Sequence, residues 1–500
     1  MSPVYVAVLR SWSVPPAATF ALLLTALVYL CGWWLLRRAR VPFLPPWRAS
    51  AFLLGLFSLW VALASPMDVF NGFVLTAHML QHMMLMMVAP PLVLLGAPLV
   101  PIVRGLPVFA AREFAGPFLN WPVAKRAGSA LTNPIFALLL MGTVMFAWHT
   151  PALYELALRS SVWHQTEHAC FFLTSLVFWW PVVQPWPSRA LWPRWAMVPY
   201  LLIADLQNTF LSAILVFSDR VLYPSYSSVP RLFGLSALED QVAAGAIMWV
   251  VGSIAFVVPA FIIAVQCLSK KTSLDAHAAR NHEASESDSL PPFSQGLPFI
   301  FRSARARWGS ERVDAFSFVV LFTVVSFCFA ALLAGASDDD DQTLRFQETS
   351  GPFEVAILAT AGDLAAGPSA FSVLVQNPST QEVMLDTAID LTVHSSAGMP
   401  REAATVHATA AGSGNKLLQI AELNLPAAGD WTLAIVLRRD AQAAEFALPL
   451  HVVKEDAGSG LPWPYITVFV VGAMLLVIYL RRRRESRIQC STKGEALSRP

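Results

Sequence analysis

Long apolar runs recur along the chain at 17–36, 49–65, 74–101, 133–149, 167–184, 196–217, 241–268, 314–335 and 462–480. A helix needs about 20 apolar residues to cross the hydrocarbon of a bilayer, so each run predicts a membrane span, the second and fourth being short. The third contains Pro90, Pro91 and Pro98. Proline removes a helix donor and crowds the turn before it, so this span is expected to kink or break into an outer helix and an inner segment.

The polar positions between the runs have a pattern of their own. Arg37, Arg38, Arg40 and Arg48 follow the first run, Arg104, Arg112, Lys125 and Arg126 the third, and Arg189 and Arg194 the fifth. Lys270 and Lys271 follow the seventh and Arg481 to Arg484 the last. Basic residues collect on the cytoplasmic side, so every second loop is expected there, with the N-terminus and the alternate loops outside. Arg220 and Arg231 run against this trend. The first run carries its charge after rather than before the apolar stretch, which predicts a retained span rather than a cleaved signal.

Two polar stretches interrupt the runs. Residues 269–312 are Ser- and Pro-containing and read as a cytoplasmic linker. In 337–460, after the acidic run Asp338–Asp341, short alternating segments (Phe353–Ala359, Ala370–Gln376, Met384–Val393 and Trp431–Leu437) are punctuated by Gly, Pro and Asn, the signature of a β-sandwich. The expected architecture is an all-α membrane bundle of seven helices over 17–268 and the linker, then an eighth span (313–336). An outer β-sandwich (337–460), a ninth span (461–481) and a cytoplasmic tail (482–500) complete it.

Composition agrees. Hydrophobic residues make up 56% of the 500 positions and charged ones 13%, with a mean hydropathy of +0.54. Such a chain cannot cover itself with polar groups, so lipid must be part of its solvent. A net charge of +1 gives no electrostatic reason to expect a nucleic-acid partner. The five cysteines include no CxxC pair, which argues against a disulfide scaffold or a dithiol metal site. No nucleotide-binding loop, nucleophile elbow or zinc-protease motif occurs, and no enzymatic activity is expected.

The histidines carry the chemistry. His78 and His82 open the third run in AHMLQHMMLMM, His149 closes the fourth in WHTP, and His164 and His168 open the fifth in VWHQTEHA. By the topology from Lys and Arg alone, all five fall near the outer surface. Two of the groups are i,i+4 pairs, which share a helix face. Facing pairs of neutral imidazoles can complete a metal site, and thioethers from Met79 or Met83 would add softness suited to Cu(I). Glu167 could orient an imidazole from behind, with Asp68 a weaker candidate for the same task. The methionine-rich stretch Met84–Met87 also fits plain packing, and a lone interfacial histidine is more often hydrogen-bonded than metal-bound. Asp205, Gln207 and Asn208, midway along the sixth run, need partners inside the bundle. Glu239 and Asp240 suit the N-terminus of the seventh helix. His394, His407, His451, Met384 and Met399 in the β region form no tight cluster.

HMLQHMMLMMVAPPLVLLGAP (His78 to Pro98), WHTPALYELAL (Trp148 to Leu158) and HQTEHACFFLTSLVFWWPVV (His164 to Val183) together resemble the multi-span CtaG family of cytochrome c oxidase assembly factors. The resemblance covers roughly 17–268. The β region resembles, more weakly, FixH- or YtkA-like domains. The resemblance implies a role in maturing a haem-copper oxidase at a bacterial inner membrane, with copper delivered to its catalytic subunit or exchanged with other copper chaperones. His78, His82, His149, His164 and His168 match the family's motif histidines. Two alternatives stay open: a metal-free assembly scaffold, and a haem-binding redox protein, although haem is not the expected cofactor.

Overall fold

A computed structural model describes residues 3–40, 44–107, 122–186, 188, 190–285, 342–360, 364–395, 405–410, 413–425 and 427–453. The expected eighth and ninth spans, most of the linker, the tail and Met399 lie outside the described residues.

Prolines decide where many of the helices begin. Pro16, Pro46, Pro66, Pro134 and Pro151 each sit in a first turn, where a missing N–H costs nothing. The helices, numbered along the chain, are α1 (Pro3–Arg10), α2 (Pro16–Arg38), α3 (Pro46–Ala64), α4 (Pro66–Val69) and α5 (Leu75–Met83). A π-helical turn at Met84–Val88 joins α5 to α6 (Ala89–Leu95), and α7 (Leu99–Gly105) and α8 (Pro122–Leu131) follow. Then come α9 (Pro134–Trp148), α10 (Pro151–Leu158), α11 (Ser161–Val183), α12 (Met197–Phe217) and α13 (Ala237–Ser285).

Five helical stretches are long and apolar enough to cross a membrane: Pro16–Arg38, Pro46–Val69, Leu75–Leu95, Arg194–Phe217 and Ala237–Ser269. A sixth is the pair α9 and α10, bent by 70°. This is a multi-pass membrane protein. The fifth expected span is helical as α11, 23 residues long, but its first turns carry His164, Glu167 and His168 and it is not counted among the six by composition. The polar stretch expected as linker begins as helix instead, because α13 continues to Ser285.

The third span breaks as its prolines predict. Pro90 cannot donate to the Met86 carbonyl four residues back, and the Trp179 indole N–H of α11 takes its place at 3.0 Å. Before Pro98 the helix ends, Ala97 takes a left-handed φ of 47°, and the buried Gly96 carbonyl accepts the Tyr29 hydroxyl at 2.8 Å. Two polar residues of α12, Asp205 and Asn208, find partners across the helix interface. Ser253 donates to Asp205 at 2.8 Å and the Asn208 amide to the Met248 carbonyl at 3.2 Å.

The β region forms a sandwich of two sheets. One has β1 (Gln342–Ser350), β2 (Phe353–Thr360), β4 (Gly367–Gln376) and β7 (Gln419–Leu425) in that order, all antiparallel. In the other, β3 (Leu364–Ala365), β9 (Gln442–Val453), β8 (Gly429–Arg439), β5 (Ala388–Ser395) and β6 (Thr405–His407) lie side by side. The third expected segment starts later than read, at Ala388, and three strands beyond the expected four are long: β1, β7 and β9.

The four-stranded sheet is buried on both faces. Val355, Ile357, Val373 and Val375 point into the sandwich core. Ala356, Leu358 and Leu374, one residue out of phase, pack with Ala7, Phe70 and Leu232 of the helical part, joined by Phe73, Val74 and Ala77. The sandwich is thereby seated on the chain that leads into α5. Two hydrogen bonds add to the seam: the Gln376 side chain donates to the Arg231 carbonyl at 2.7 Å, and the Lys416 N–H to the Ser11 hydroxyl at 2.9 Å.

Candidate metal centre

The i,i+4 spacing of His78 and His82 puts both rings on one face of α5, and the same spacing on α11 does so for His164 and His168. The two faces meet. His78 lies 5.1 Å from His164 and 6.3 Å from His168 between ring centroids, and His82 lies 5.5 Å from His168. His149 joins them from α9. Pro151 disfavours helix at Thr150, so α9 ends at Trp148 and His149 becomes its C-cap, 6.4 Å from His82. The structure thus brings together all five motif histidines: His78, His82, His149 and His168 are buried, and His164 is half-buried with its Nε2 atom buried.

Glu167 is closer to the chemistry than its sequence position suggested. Rather than standing behind His168, it faces the opposite pair: Oε2 is 3.7 Å from His78 Nε2 and Oε1 is 3.8 Å from His82 Nε2. Ligand atoms of His78, His82 and His168 lie within 4.8 Å of one another, and so do those of His78, His164 and Glu167. Asp68 accepts from the Gln81 amide at 2.6 Å, and Gln81 also donates to the Ala62 carbonyl at 2.9 Å. Met79 and Met83 sit one position round the helix from the histidines and pack in the main hydrophobic core.

Hydrogen bonds settle two of the tautomers. His149 Nδ1 is 2.8 Å from the Met145 carbonyl, which can only accept, so Nδ1 carries the hydrogen and Nε2 keeps a lone pair. Tyr226 donates to the Asn71 carbonyl at 2.6 Å and so can accept from His78 Nδ1 at 3.2 Å, which again leaves Nε2 as the lone-pair atom. Burial pushes the Tyr226 phenol well above its usual range, so the hydroxyl stays protonated in this role. His78 Nε2 then faces His82 Nε2 at 2.9 Å, within hydrogen-bonding distance.

Several residues holding this arrangement were not read from the sequence. Asp240 was assigned to its own helix, but its carboxylate accepts the N–H groups of Leu75 at 2.6 Å and Thr76 at 3.1 Å, capping α5. Ser236 and Glu239 cap α13 instead, donating to each other at 2.7 and 3.2 Å in a capping box that SALE (236–239) does announce. Tyr154, inside the second motif, stacks on Tyr223 at 3.9 Å, and Tyr223 donates to the His149 carbonyl at 3.0 Å. Nothing in the sequence around Tyr223 and Tyr226 marks them, because their partners are hundreds of ångströms of chain contour away.

The pattern of unmet hydrogen bonds tests whether the cluster suits a metal. His149 Nε2, His164 Nε2, His168 Nε2 and both Glu167 oxygens are buried without a hydrogen-bond partner. Buried polar atoms are costly unless paired, and a cation is what would satisfy lone pairs pointing inward together. The residues fit a copper- or zinc-type ion by donor chemistry.

Fold and site together define a multi-pass membrane protein whose helices enclose a histidine–carboxylate cluster beneath a β-sandwich. Residues 27–270 match the family described as cytochrome c oxidase caa3 assembly factor (Caa3_CtaG). Among curated proteins it is similar to uncharacterized protein Mb0105 of Mycobacterium bovis, 27% identical over 260 residues, 49% of this chain and 38% of the relative. Uncharacterized protein ML1998 of Mycobacterium leprae is 26% identical over 227 residues, 44% of this chain and 34% of that protein. The chain thus spans little more than a third of the length of these relatives. No solved structure matches.

Proposed function

We propose that this protein binds copper at the histidine cluster and delivers it, at the outer membrane face, to the catalytic subunit of a haem-copper oxidase or to another copper chaperone. The observation that carries this reading is the set of imidazole Nε2 atoms and carboxylate oxygens that converge in a buried space without protein partners. Copper is cargo here. His78, His82, His149, His164 and His168 would hold it, and neutral imidazoles release it by ligand exchange, so no covalent step is needed. Cu(I) remains the expected state, with Met79 or Met83 close by as a soft donor.

The proposed topology has seven spans in the core, α11 among them, in a bacterial inner membrane. The N-terminus and the β-sandwich lie outside and the C-terminus in the cytoplasm, as the distribution of Lys and Arg supports. On this reading the sandwich covers the outer end of the site, where a client subunit would approach.

A metal-free scaffold is the second reading, and the 2.9 Å contact between His78 and His82 favours it to the extent that a shared hydrogen explains that contact. The test is Cu(I) titration of the detergent-purified chain beside oxidase activity in cells carrying His78→Ala/His82→Ala. Copper binding lost together with oxidase maturation supports delivery. Full oxidase maturation in the double variant sinks it and leaves the scaffold. A Soret band in the purified protein would instead point to haem.

A further inference from the structure

The cluster holds more donors than one ion uses. Five imidazoles and one carboxylate gather there, all buried but the half-buried His164, and they divide by helical turn. On α5 and α11 the first histidine of each pair lies nearer the helix start, His78 opposite His164 at 5.1 Å. The second histidines, His82 and His168, face each other at 5.5 Å one turn further along. A turn advances the backbone about 5.4 Å, but the rings lean together, with His78 Nε2 2.9 Å from His82 Nε2, so the two layers are close neighbours. His149 belongs to the deeper layer through its neighbour His82. Glu167 stands between the layers, one oxygen toward His78 and the other toward His82.

Resting on the copper-carrying reading above, we propose that the site takes two monovalent copper ions at once, one held by His78 and His164 with Glu167, the other by His82, His149 and His168. This division uses each lone pair once. A single four-coordinate ion would leave two of the six groups buried and unpaired, a desolvation cost with no return. A lone pair also serves one ion only, so His78, which falls in both ligand groupings, must belong to one position. Charge selects the oxidation state. Two monovalent ions and one carboxylate leave a single positive charge in the bundle, whereas two divalent ions leave three, and uncompensated charge is expensive away from water. Carboxylate is a poor donor to Cu(I), so Glu167 serves chiefly as the counter-charge shared by both ions.

The experiment is anaerobic Cu(I) titration of the full chain in detergent against a colorimetric Cu(I) chelator, followed by copper per protein after desalting. Wild type is expected to retain two ions. His164→Ala/Glu167→Gln and His149→Ala/His168→Ala are each expected to retain one, and the four changes combined none. X-ray absorption at the copper edge should give about two to three light donors per ion. One ion in wild type overturns the two-ion site and leaves the copper-carrying reading standing, while none overturns that reading itself. A half-variant that binds none, or still binds two, overturns the division into layers. Should a double variant lose its monodisperse elution, Glu167→Gln alone, expected to weaken both ions at least tenfold, replaces it, and unchanged affinities there would overturn the shared counter-charge.

Discussion

The carboxylate of Asp240 accepts the backbone N–H of Leu75 at 2.6 Å, tying the head of one membrane helix to the head of another. Asp240 is buried, and the same carboxylate takes the Thr76 N–H and hydroxyl. The first turn of α5, which positions His78, is thus held from 165 residues away in sequence.

Replacing Asp240 with Ala leaves two buried backbone donors without an acceptor. Each such group costs about 1–3 kcal/mol. The variant is expected to lose stability by about 2 kcal/mol or more in a thermal-unfolding assay in detergent, and to bind copper more weakly. Asp240→Asn, which keeps an acceptor oxygen, should recover part of the loss. Equal losses in the two variants would show that the cap is not what Asp240 supplies.

Tyr226→Phe removes the hydroxyl that accepts from His78 Nδ1. Partners that fix the tautomer of a ligating histidine are typically worth about 10–100-fold in metal affinity. A drop of that order in Cu(I) affinity is expected while the unfolding temperature stays within a few degrees. No change in affinity would mean the ring is oriented by packing alone. Since burial keeps the phenol protonated, its contribution should not titrate across neutral pH.

Trp179→Phe keeps the aromatic packing against Phe178 and Phe256 but deletes the donor to the Met86 carbonyl. With Pro90 unable to replace it, the expected cost is about 1–3 kcal/mol. The paired change Trp179→Phe/Pro90→Ala restores a backbone donor and should be milder than Trp179→Phe alone. If the double variant is no better, the Met86 carbonyl is satisfied some other way.

Leu358→Glu/Leu374→Glu places two carboxylates in the seam between the sandwich and the helices. Both residues are buried there and outside the sandwich core, so the β domain should remain folded while the seam opens. Labelling of an introduced Ala77→Cys by a water-soluble thiol reagent is expected to speed up at least tenfold. Unchanged labelling would show that the sandwich does not shield this end of the site.

Much of the fold was legible in the apolar pattern. The first, second and sixth spans begin and end within about three residues of their runs, because bilayer thickness and proline leave little choice. The bend after His149 was not foreseen. The seating of the sandwich also had a signal that went unused. FEVAILA and AFSVLV are apolar at every position or nearly so, unlike the clean alternation of QAAEFALPLHVV, and a strand that is apolar on both faces is buried on both.

Sequence by itself determined that the protein lives in a membrane, where its helices start, and that its histidines come in turn-spaced pairs, since all of these follow from local composition and helix period. It could not determine what the second neighbour of each histidine would be. That Glu167 faces His78 and His82, that Met79 and Met83 turn into the core, and that Asp240 and Tyr226 reach the site from another helix and loop depend on how helices cross. Crossing is set by packing of whole surfaces distant in the chain, and no local pattern encodes it.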